Sequence, residues 1–404
     1  MLPTPLQVTL CLDKSNPLAK NLANGLEDCF RGRSRAYLDG AIGLNVEVRE
    51  RDARPKVGAR SYLNQALHGL VIVFATQRLT KDTDFANWLD DIAGQVLESD
   101  LPSIQPNRAH RLLIVDLDGS AKNLRKQGSR MQRFQALNYE KLSKDEAIRP
   151  AKLALIALKH AAQIVSRGSP MIQDQLRFFV SHAKLDGQPM AKVLSDLINK
   201  LPGFRDFYDA KDIEEGSDWQ RVLEEGVRDS VLLALRSDLY ETRDWCKQET
   251  HWAEQYATPM LVVDLRNGLN LPPSKLALDG IPTVRINDGN FYRILFAGSS
   301  IALTARMFLR QVQHFFDTRK LDPNRTRILV RRPSMLALHT ACADLIAGLG
   351  ASGTSATSPG FVLVPEDAMS DAEWAAAKVF AQSMDQNLRI ETLDSMIVKG
   401  YLKP

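Results

Sequence analysis

The sequence lacks the features that mark several large classes of protein. Its 404 residues contain only four cysteines, and no two of them form a C-x-x-C pair. This scarcity argues against a disulfide-stapled fold and a thiolate zinc site, and it favours a reducing compartment. No apolar run reaches the ~18–20 residues that a membrane span requires. We therefore expect a cytoplasmic protein with no metal site and no membrane partner.

An excess of charge of one sign is also missing. The 52 basic residues are nearly balanced by 48 acidic ones, which gives a formal net charge of +4. A balanced surface of this kind does not indicate a nucleic-acid partner. The hydrophobic share of 44% is ordinary for a globular protein. The length corresponds to roughly two to four domains. Composition therefore predicts a folded multidomain protein and leaves its function open.

Short runs rich in Val, Ile and Leu alternate with segments of helical period along the whole chain. Near-continuous apolar strands separated by helices are typical of a parallel sheet covered on both faces and joined by right-handed crossovers. The predicted fold class is therefore α/β. Breaks at Arg167–Pro170 and Asp317–Arg325 predict an N-terminal α/β domain at residues 1–168, a middle domain at 172–318 and a small C-terminal α/β domain at 326–404.

A literal G-x-G-x-x-G pattern occurs in the last part of the chain, at Gly348–Gly353. In a dinucleotide-binding fold these glycines follow a strand and open a helix. Here they follow a predicted helix and enter a stretch rich in Ser, Thr and Gly. We interpret them as a helix end and a loop, and we expect no bound cofactor.

In the middle domain, one apolar strand ends in two polar residues. Phe178, Phe179 and Val180 are followed by Ser181 and His182. Ligands of open parallel sheets bind at the carboxyl ends of the strands, which makes these two residues candidates for a site. The alternative is that they only begin a loop.

The segment Tyr208–Trp219 leaves a second predicted strand of the same domain. It is highly charged, and Gly216 comes just before a helix that Ser217 or Asp218 can cap. Such a loop can close over a cleft. The alternative is an ordinary exposed connection to a capped helix.

A third feature is a carboxylate on an aromatic helix face. Trp245, Glu249 and Trp252 stand at positions i, i+4 and i+7 and therefore share one face of a predicted helix. A carboxylate in such a place finds a partner, titrates at high pH or takes part in chemistry. Spacing alone leaves a functional Glu249 and a buried or partly exposed structural one equally open.

Taken in order, these segments resemble a bacterial-type Toll/interleukin-1 receptor (TIR) domain of the NAD-cleaving class. The shared pattern is a strand ending in Ser-His, a Tyr-Asp…Gly-x-x-Trp loop, an apolar strand ending in Ser, and W-C-x-x-E. The segments that carry it are Phe178–His182, Tyr208–Trp219, Ser230–Ser237 and Trp245–Glu249. The resemblance covers roughly residues 176–316, and it implies a flavodoxin-like parallel sheet for the middle domain.

The resemblance also assigns roles to individual residues. The family's catalytic glutamate corresponds to Glu249, and Trp245 is expected to pack against a substrate ring. The other residues expected to bind or enclose the substrate are Ser181, His182, Asp209, Gly216, Trp219 and Ser237. The chain departs from the usual bacterial pattern at Ala183–Gly187, which replaces a serine-rich run, and at Asp244, where a small residue is more common.

TIR domains are either NAD⁺-cleaving enzymes or adaptors, so the resemblance implies two alternative functions. The first is an NAD⁺ glycohydrolase that releases nicotinamide, with ADP-ribose or a cyclic form as the product. It would act as a regulated effector, of the kind expected in prokaryotic antiviral defence. The second is a non-catalytic scaffold that signals by TIR–TIR assembly.

The resemblance further implies the partners of the chain. We expect NAD⁺ as a substrate rather than a cofactor, self-association through TIR domains, and a small-molecule or protein activator. The N-terminal domain is expected to be a degenerate TIR-like copy or a sensor.

Overall fold

The computed structural model describes most of the chain, in two compact units. The described residues are 5–31, 46–48, 63, 66–99, 109–126, 128–167, 175–207, 218–266, 278, 281–285, 291–318, 320–351, 359–366 and 369–402. One unit comprises Pro3–Asp174 and Tyr292–Met307. The other comprises Met1–Leu2, Gln175–Phe291 and Phe308–Pro404.

The first unit is built on a five-stranded parallel sheet. Its strands are β1 (Leu6–Cys11), β2 (Val46–Val48), β3 (His68–Ala75), β4 (Ala109–Asp116) and β5 (Ala136–Asn138). Its longer helices are α1 (Pro17–Phe30), α2 (Gln77–Lys81), α3 (Thr83–Ser99) and α4 (Arg149–Ser166). The strands lie in the order β2-β1-β3-β4-β5, and all neighbours are parallel. This is the order of a flavodoxin-like doubly wound sheet.

Local sequence explains these elements. Helix α1 begins at Pro17 because the Asn16 side chain accepts a hydrogen bond from the backbone N–H of Ala19 at 2.9 Å. Proline suits this first position because its missing N–H would have no partner within the helix. All eight residues of β3 are buried, which is why the strand has a near-continuous apolar sequence instead of an alternating one.

The second unit contains a sheet with the same strand order. Its strands are β6 (Leu176–His182), β7 (Phe204–Phe207), β8 (Val231–Arg236), β9 (Met260–Asp264) and β10 (Thr283–Arg285). They lie in the order β10-β9-β8-β6-β7 and are all parallel. Helices α5 (Gln188–Asn199), α6 (Trp219–Arg228) and α7 (Asp244–Gln255) alternate with them, and the part of α8 (Tyr292–Asp317) that begins at Phe308 also belongs to this unit. The strand order reverses between β6 and β8, so their carboxyl ends form the switch point at which such sheets bind ligands.

A three-stranded parallel sheet completes the second unit. Its strands β11 (Thr326–Ile328), β12 (Gly360–Leu363) and β13 (Leu388–Glu391) lie in chain order. Its helices are α9 (Met335–Ala351), α10 (Asp371–Met384) and α11 (Leu393–Val398). The first glycines of the G-x-G-x-x-G pattern lie in the last turn of α9, as expected for a helix end.

The predicted α/β class with parallel sheets is confirmed, and α/β structure occurs on both sides of the middle sheet in the sequence. The boundaries 1–168, 172–318 and 326–404 remain a prediction. Of the helices that the structure describes, none has the length and apolar character needed to cross a membrane.

Candidate functional site

Ser181 and Glu249 meet at the carboxyl ends of the central strands. Ser181 is the last residue but one of β6, and Glu249 lies in the second turn of α7. Both are buried, with 1% and 5% of their surface exposed. The Ser181 hydroxyl donates a hydrogen bond to Glu249 Oε2. The fold therefore brings two predicted site residues into direct contact, although 68 positions separate them in sequence.

Tyr240 extends this contact into a directed chain of hydroxyl groups. The Tyr240 hydroxyl lies 2.8 Å from Ser181 Oγ. Because Ser181 gives its only hydrogen to Glu249, Tyr240 is the donor in this pair. Thr250 Oγ1 lies 3.4 Å from the Tyr240 hydroxyl and donates its own hydrogen to the Cys246 carbonyl at 2.7 Å. The order of donation is therefore Tyr240 to Ser181 to Glu249.

Burial keeps the Tyr240 hydroxyl and the Cys246 thiol protonated. Burial is the main cause that raises the pKa of Tyr240 above its ordinary value. Burial, followed by the nearby charge of Glu249, raises the pKa of the Cys246 thiol to about 12. Both groups are therefore neutral near pH 7. Tyr240 remains a hydrogen-bond donor, and Cys246 is not a thiolate nucleophile.

Two half-exposed tryptophans lie at the starts of neighbouring helices. Trp219 is the first residue of α6, and Trp245 is in the first turn of α7, one turn before Glu249. Their exposed fractions are 42% and 48%. The ring centroids are 4.3 Å apart and the planes cross at 70°, which is an edge-to-face contact. The pair forms an exposed aromatic surface across the starts of α6 and α7, and α7 also carries the buried carboxylate.

Ser237 and His182 lie at the same sheet edge, and each side chain forms a hydrogen bond there. The Ser237 hydroxyl donates to Asp186 Oδ1 at 2.7 Å, and the Leu239 N–H donates to Asp186 Oδ2 at 2.9 Å. His182 Nδ1 lies 3.1 Å from the Val180 carbonyl. Since a carbonyl can only accept, Nδ1 carries the hydrogen in this bond. Asp186 thus joins the loops that follow β6 and β8.

The loop that precedes α6 cannot be placed in the site. Asp209 and Gly216 lie outside the described residues, as does the rest of the segment Tyr208–Ser217. Their part in a site remains a prediction. The predicted helix cap is confirmed, because the Asp218 side chain accepts a hydrogen bond from the Arg221 N–H at 3.4 Å.

Arg236 and Asp264, which end the neighbouring strands β8 and β9 in register, form ion pairs with other residues. Arg236 donates to Glu241 at 2.6 Å, and Arg266 donates two hydrogen bonds to Asp264, each of 2.9 Å. Burial alone would raise the pKa of Asp264, but the Arg266 hydrogen bonds hold it below its ordinary value. Both carboxylates, Glu241 and Asp264, thus have arginine partners.

The described part of the chain offers no group of three or more His, Cys, Asp or Glu side chains that could hold a metal ion. The described site presents the Glu249 carboxylate, the hydroxyl groups of Ser181 and Tyr240, and the Trp219–Trp245 pair. Carboxylate, hydroxyl and indole groups can bind a polar ring system and stabilise a developing positive charge.

Sequence reasoning missed Tyr240 and Asp186. Tyr240 had a usable signal, since a buried tyrosine hydroxyl next to a strand end requires a polar partner. Asp186 gave no such signal, because its partner Ser237 is 51 positions away and only the fold brings the two together.

Comparison with known proteins identifies the middle of the chain. No curated protein matches the sequence. Residues 178–292 match the family model of the TIR domain. This range holds the Ser181–Glu249 contact, the tryptophan pair and all five strands of the β6–β10 sheet apart from the first two residues of β6. The chain therefore contains a TIR domain in the middle of its sequence.

Proposed function

We propose that the protein is an NAD⁺ glycohydrolase in which Glu249 is the essential carboxylate. The observation that supports this most strongly is the buried contact between Glu249 and Ser181 at the switch point of a TIR sheet. A carboxylate held in a site of low polarity stabilises positive charge far better than one in water. The exposed Trp219–Trp245 pair supplies a surface on which a nicotinamide or adenine ring can pack.

The chemistry needs a negative charge and no general acid. The bond that breaks joins the ribose C1′ to the nicotinamide nitrogen, and its electron pair leaves with nicotinamide. Because nicotinamide departs from NAD⁺ as a neutral base, no side chain has to protonate it, unlike the leaving group of an ordinary glycoside. The ribose ring becomes oxocarbenium-like, and the Glu249 carboxylate stabilises it and can accept hydrogen bonds from the ribose hydroxyls.

The reaction ends when a nucleophile captures C1′. If water attacks, its oxygen forms the new bond, its proton passes to Glu249 or to solvent, and ADP-ribose results. If an adenine nitrogen attacks, the product is cyclic. Both outcomes require the same carboxylate, so loss of Glu249 abolishes both.

The test is nicotinamide release from NAD⁺ by the full chain and by Glu249→Gln. We expect this substitution, which keeps the side-chain shape, to lower kcat at least ~10²-fold, because it removes the charge that stabilises the transition state. Glu225→Gln is the matched control, since Glu225 is exposed on α6 and pairs with Arg221. Equal rates for wild type and Glu249→Gln would refute the mechanism.

The same proposal covers the biological role. We propose a regulated effector that depletes NAD⁺ after self-association or binding of an activator, as in prokaryotic antiviral defence. The support is the TIR match together with α/β structure on both sides of the TIR domain in the sequence. Expression of the wild-type chain should slow growth and lower cellular NAD⁺, and expression of Glu249→Gln should do neither.

A second candidate function is assembly without catalysis. The observation that favours it is the 5% exposure of Glu249, which suits a carboxylate that only fixes the position of α7. In that case Glu249→Gln would lower stability, and the wild-type chain would leave NAD⁺ intact at every concentration tested. Product analysis of NAD⁺ incubated with concentrated protein therefore decides between the two functions.

A further inference from the structure

Helix α7, which carries Glu249, ends in a backbone turn of unusual composition. The Thr258 N–H donates to the Ala253 carbonyl at 2.9 Å, and the Ala257 N–H donates to the Glu254 carbonyl at 3.3 Å. These two bonds define a Schellman motif, in which the residue after the helix cap adopts a left-handed conformation. Glycine usually occupies that position, whereas this chain has Ala257, with a φ of 49°.

The left-handed Ala257 has to be held by its surroundings. A residue with a Cβ atom disfavours this conformation and persists in it only where the structure around it leaves no alternative. Ala257 is fully buried, in one hydrophobic cluster with Leu338, Ala341 and Leu345 of α9. The methyl group that makes the turn unfavourable therefore packs on the C-terminal α/β segment, beyond the TIR match.

Arg331 secures the same turn from the C-terminal side. It follows β11, and its side chain is 15% exposed. Its Nε donates to the Thr258 carbonyl at 2.9 Å, and its Nη2 donates to the Ala253 carbonyl at 3.2 Å and to Glu254 Oε1 at 2.9 Å. One guanidinium group thus binds two carbonyls of the turn, and one of them, that of Ala253, also accepts the Thr258 N–H. The guanidinium also forms a charge-assisted bond with the last turn.

We infer that Arg331 is a positioning residue that fixes the Glu249 helix to the C-terminal sheet. Ala253 lies one turn after Glu249 on α7, so a helix end that loosens moves the carboxylate relative to Ser181 and the substrate. The effect on catalysis rests on the proposed function. The structural part of the inference, that Arg331 holds the end of α7 in place, does not depend on the proposed function.

The experiment uses full-length Arg331→Met, which keeps the aliphatic stem and removes the guanidinium group. Arg331→Lys retains the charge beside Glu254 but lacks the planar fork that reaches both carbonyls. Arg332→Met is the matched control, because Arg332 is the next residue, is more than half exposed and pairs with Glu373 of α10 instead. Hydrogen exchange is followed over residues 244–258, with residues 176–182 of β6 as an internal reference.

We expect Arg331→Met to speed exchange at 244–258 about tenfold while leaving β6 unchanged, because only the local opening of α7 is affected. Nicotinamide release should show a kcat lowered about tenfold at an unchanged KM, since a displaced Glu249 weakens stabilisation of the transition state only. Arg331→Lys should give an exchange rate at 244–258 and a kcat between those of wild type and Arg331→Met. Arg332→Met should match wild type in both quantities.

Three results would overturn the inference: wild-type exchange at 244–258 in Arg331→Met, equal acceleration in Arg332→Met, or faster exchange with kcat unaltered. A purely structural role would reduce the folded fraction and speed exchange in β6 as well. If wild type does not cleave NAD⁺ at all, the proposed function fails, and the exchange measurements alone decide whether Arg331 holds the helix.

Discussion

At the scale of single residues, the site depends on the direction of its hydrogen bonds. Ser181 has one hydrogen and gives it to Glu249, so its oxygen is free to accept from Tyr240. Tyr240 is fully buried and stays protonated near pH 7, which makes it a permanent donor. Hydrogen bonds in a chain of this kind strengthen one another. Tyr240 therefore acts on the carboxylate through Ser181, although it does not reach Glu249 itself.

We predict that Tyr240→Phe lowers the kcat of NAD⁺ cleavage about tenfold, since a lost hydrogen bond in a buried network corresponds to about 1–1.5 kcal/mol. The ring remains, so the core cluster around it should stay packed. Tyr256→Phe is the control, because it also removes one phenolic hydroxyl of this unit, which donates to Glu224 instead. If Tyr240→Phe cleaves NAD⁺ at the wild-type rate while Glu249→Gln is inactive, Ser181 orients the carboxylate without the Tyr240 hydroxyl, and the prediction is wrong.

A second residue-scale effect concerns His160 on α4. Burial, followed by the charges of Lys159 and Arg111, lowers the pKa of His160 from 6.5 to about 3. Below pH 6.5 the unfolded chain binds a proton that the folded chain excludes. The stabilising effect of the neutral imidazole is complete above pH 6.5 and is lost as the pH falls toward 3.

We therefore predict that the unfolding free energy falls by up to about 1.4 kcal/mol per pH unit from this group between pH 6.5 and 3. Denaturant unfolding at several pH values measures the slope. His160→Gln should flatten it, whereas His339→Gln, which changes an exposed imidazole on α9, should leave it as in wild type. Parallel slopes for wild type and His160→Gln would contradict the prediction.

At the scale of elements, sequence patterns predicted the long and strongly periodic segments well. The sequence predicts helices near Pro17–Phe30 and Asp371–Met384, and the structure has both at those bounds. The short strand Ala136–Asn138 and the short helix Gln77–Lys81 were not predicted. Three to five residues do not show a period, and tertiary contacts decide the structure of such segments.

The sequence also predicts a helix near residues 61–68, and this prediction is wrong at the end of the segment. His68 begins β3 and pairs with Leu6 of β1, because sheet pairing prevails over a weak helical period. Most of that segment lies outside the described residues. For α7, which carries Glu249, the sequence predicts a helix at Asp244–Tyr256, and the observed helix ends one residue earlier, at Gln255.

The arrangement of the site was predictable only in part. A strand end with Ser181 and a helix with Glu249 could be inferred from polarity and spacing, and their association came from the resemblance to the TIR family. A polar partner for the Tyr240 hydroxyl could be expected, but which residue supplies it depends on distances that no local pattern encodes, and so do the Arg331 contacts. The contribution of the C-terminal sheet to α7 was therefore invisible in the sequence.

At the scale of the whole molecule, the two five-stranded sheets share a strand order, but only the second has the W-C-x-x-E pattern on a helix. In the β6–β10 sheet, Trp245 is followed four residues later by Glu249 on the helix after β8. In the β1–β5 sheet, Trp88 on α3 is followed four residues later by Ile92, which is fully buried. The N-terminal sheet thus has no carboxylate at that helix position. A sensor or a degenerate copy remains our prediction for its role.

We expect the C-terminal sheet to stabilise the TIR domain, because both belong to the same compact unit. Phe308, Val312 and Phe315 of α8 share a buried cluster with Leu393 and Met396 of α11. Removing residues 319–404 exposes those three side chains, and each fully buried side chain of this size stabilises by roughly 1.5–3 kcal/mol.

We predict that the chain shortened to residue 318 unfolds at a markedly lower temperature and loses NAD⁺ cleavage, as followed by thermal unfolding and nicotinamide release. Val379→Ser in the full chain is the control, because Val379 is 68% exposed on α10 and should alter neither measurement. A shortened chain that is as stable as the full one and cleaves NAD⁺ faster would instead identify the C-terminal sheet as an inhibitor of the TIR domain, because release of a restraint raises activity without loss of packing.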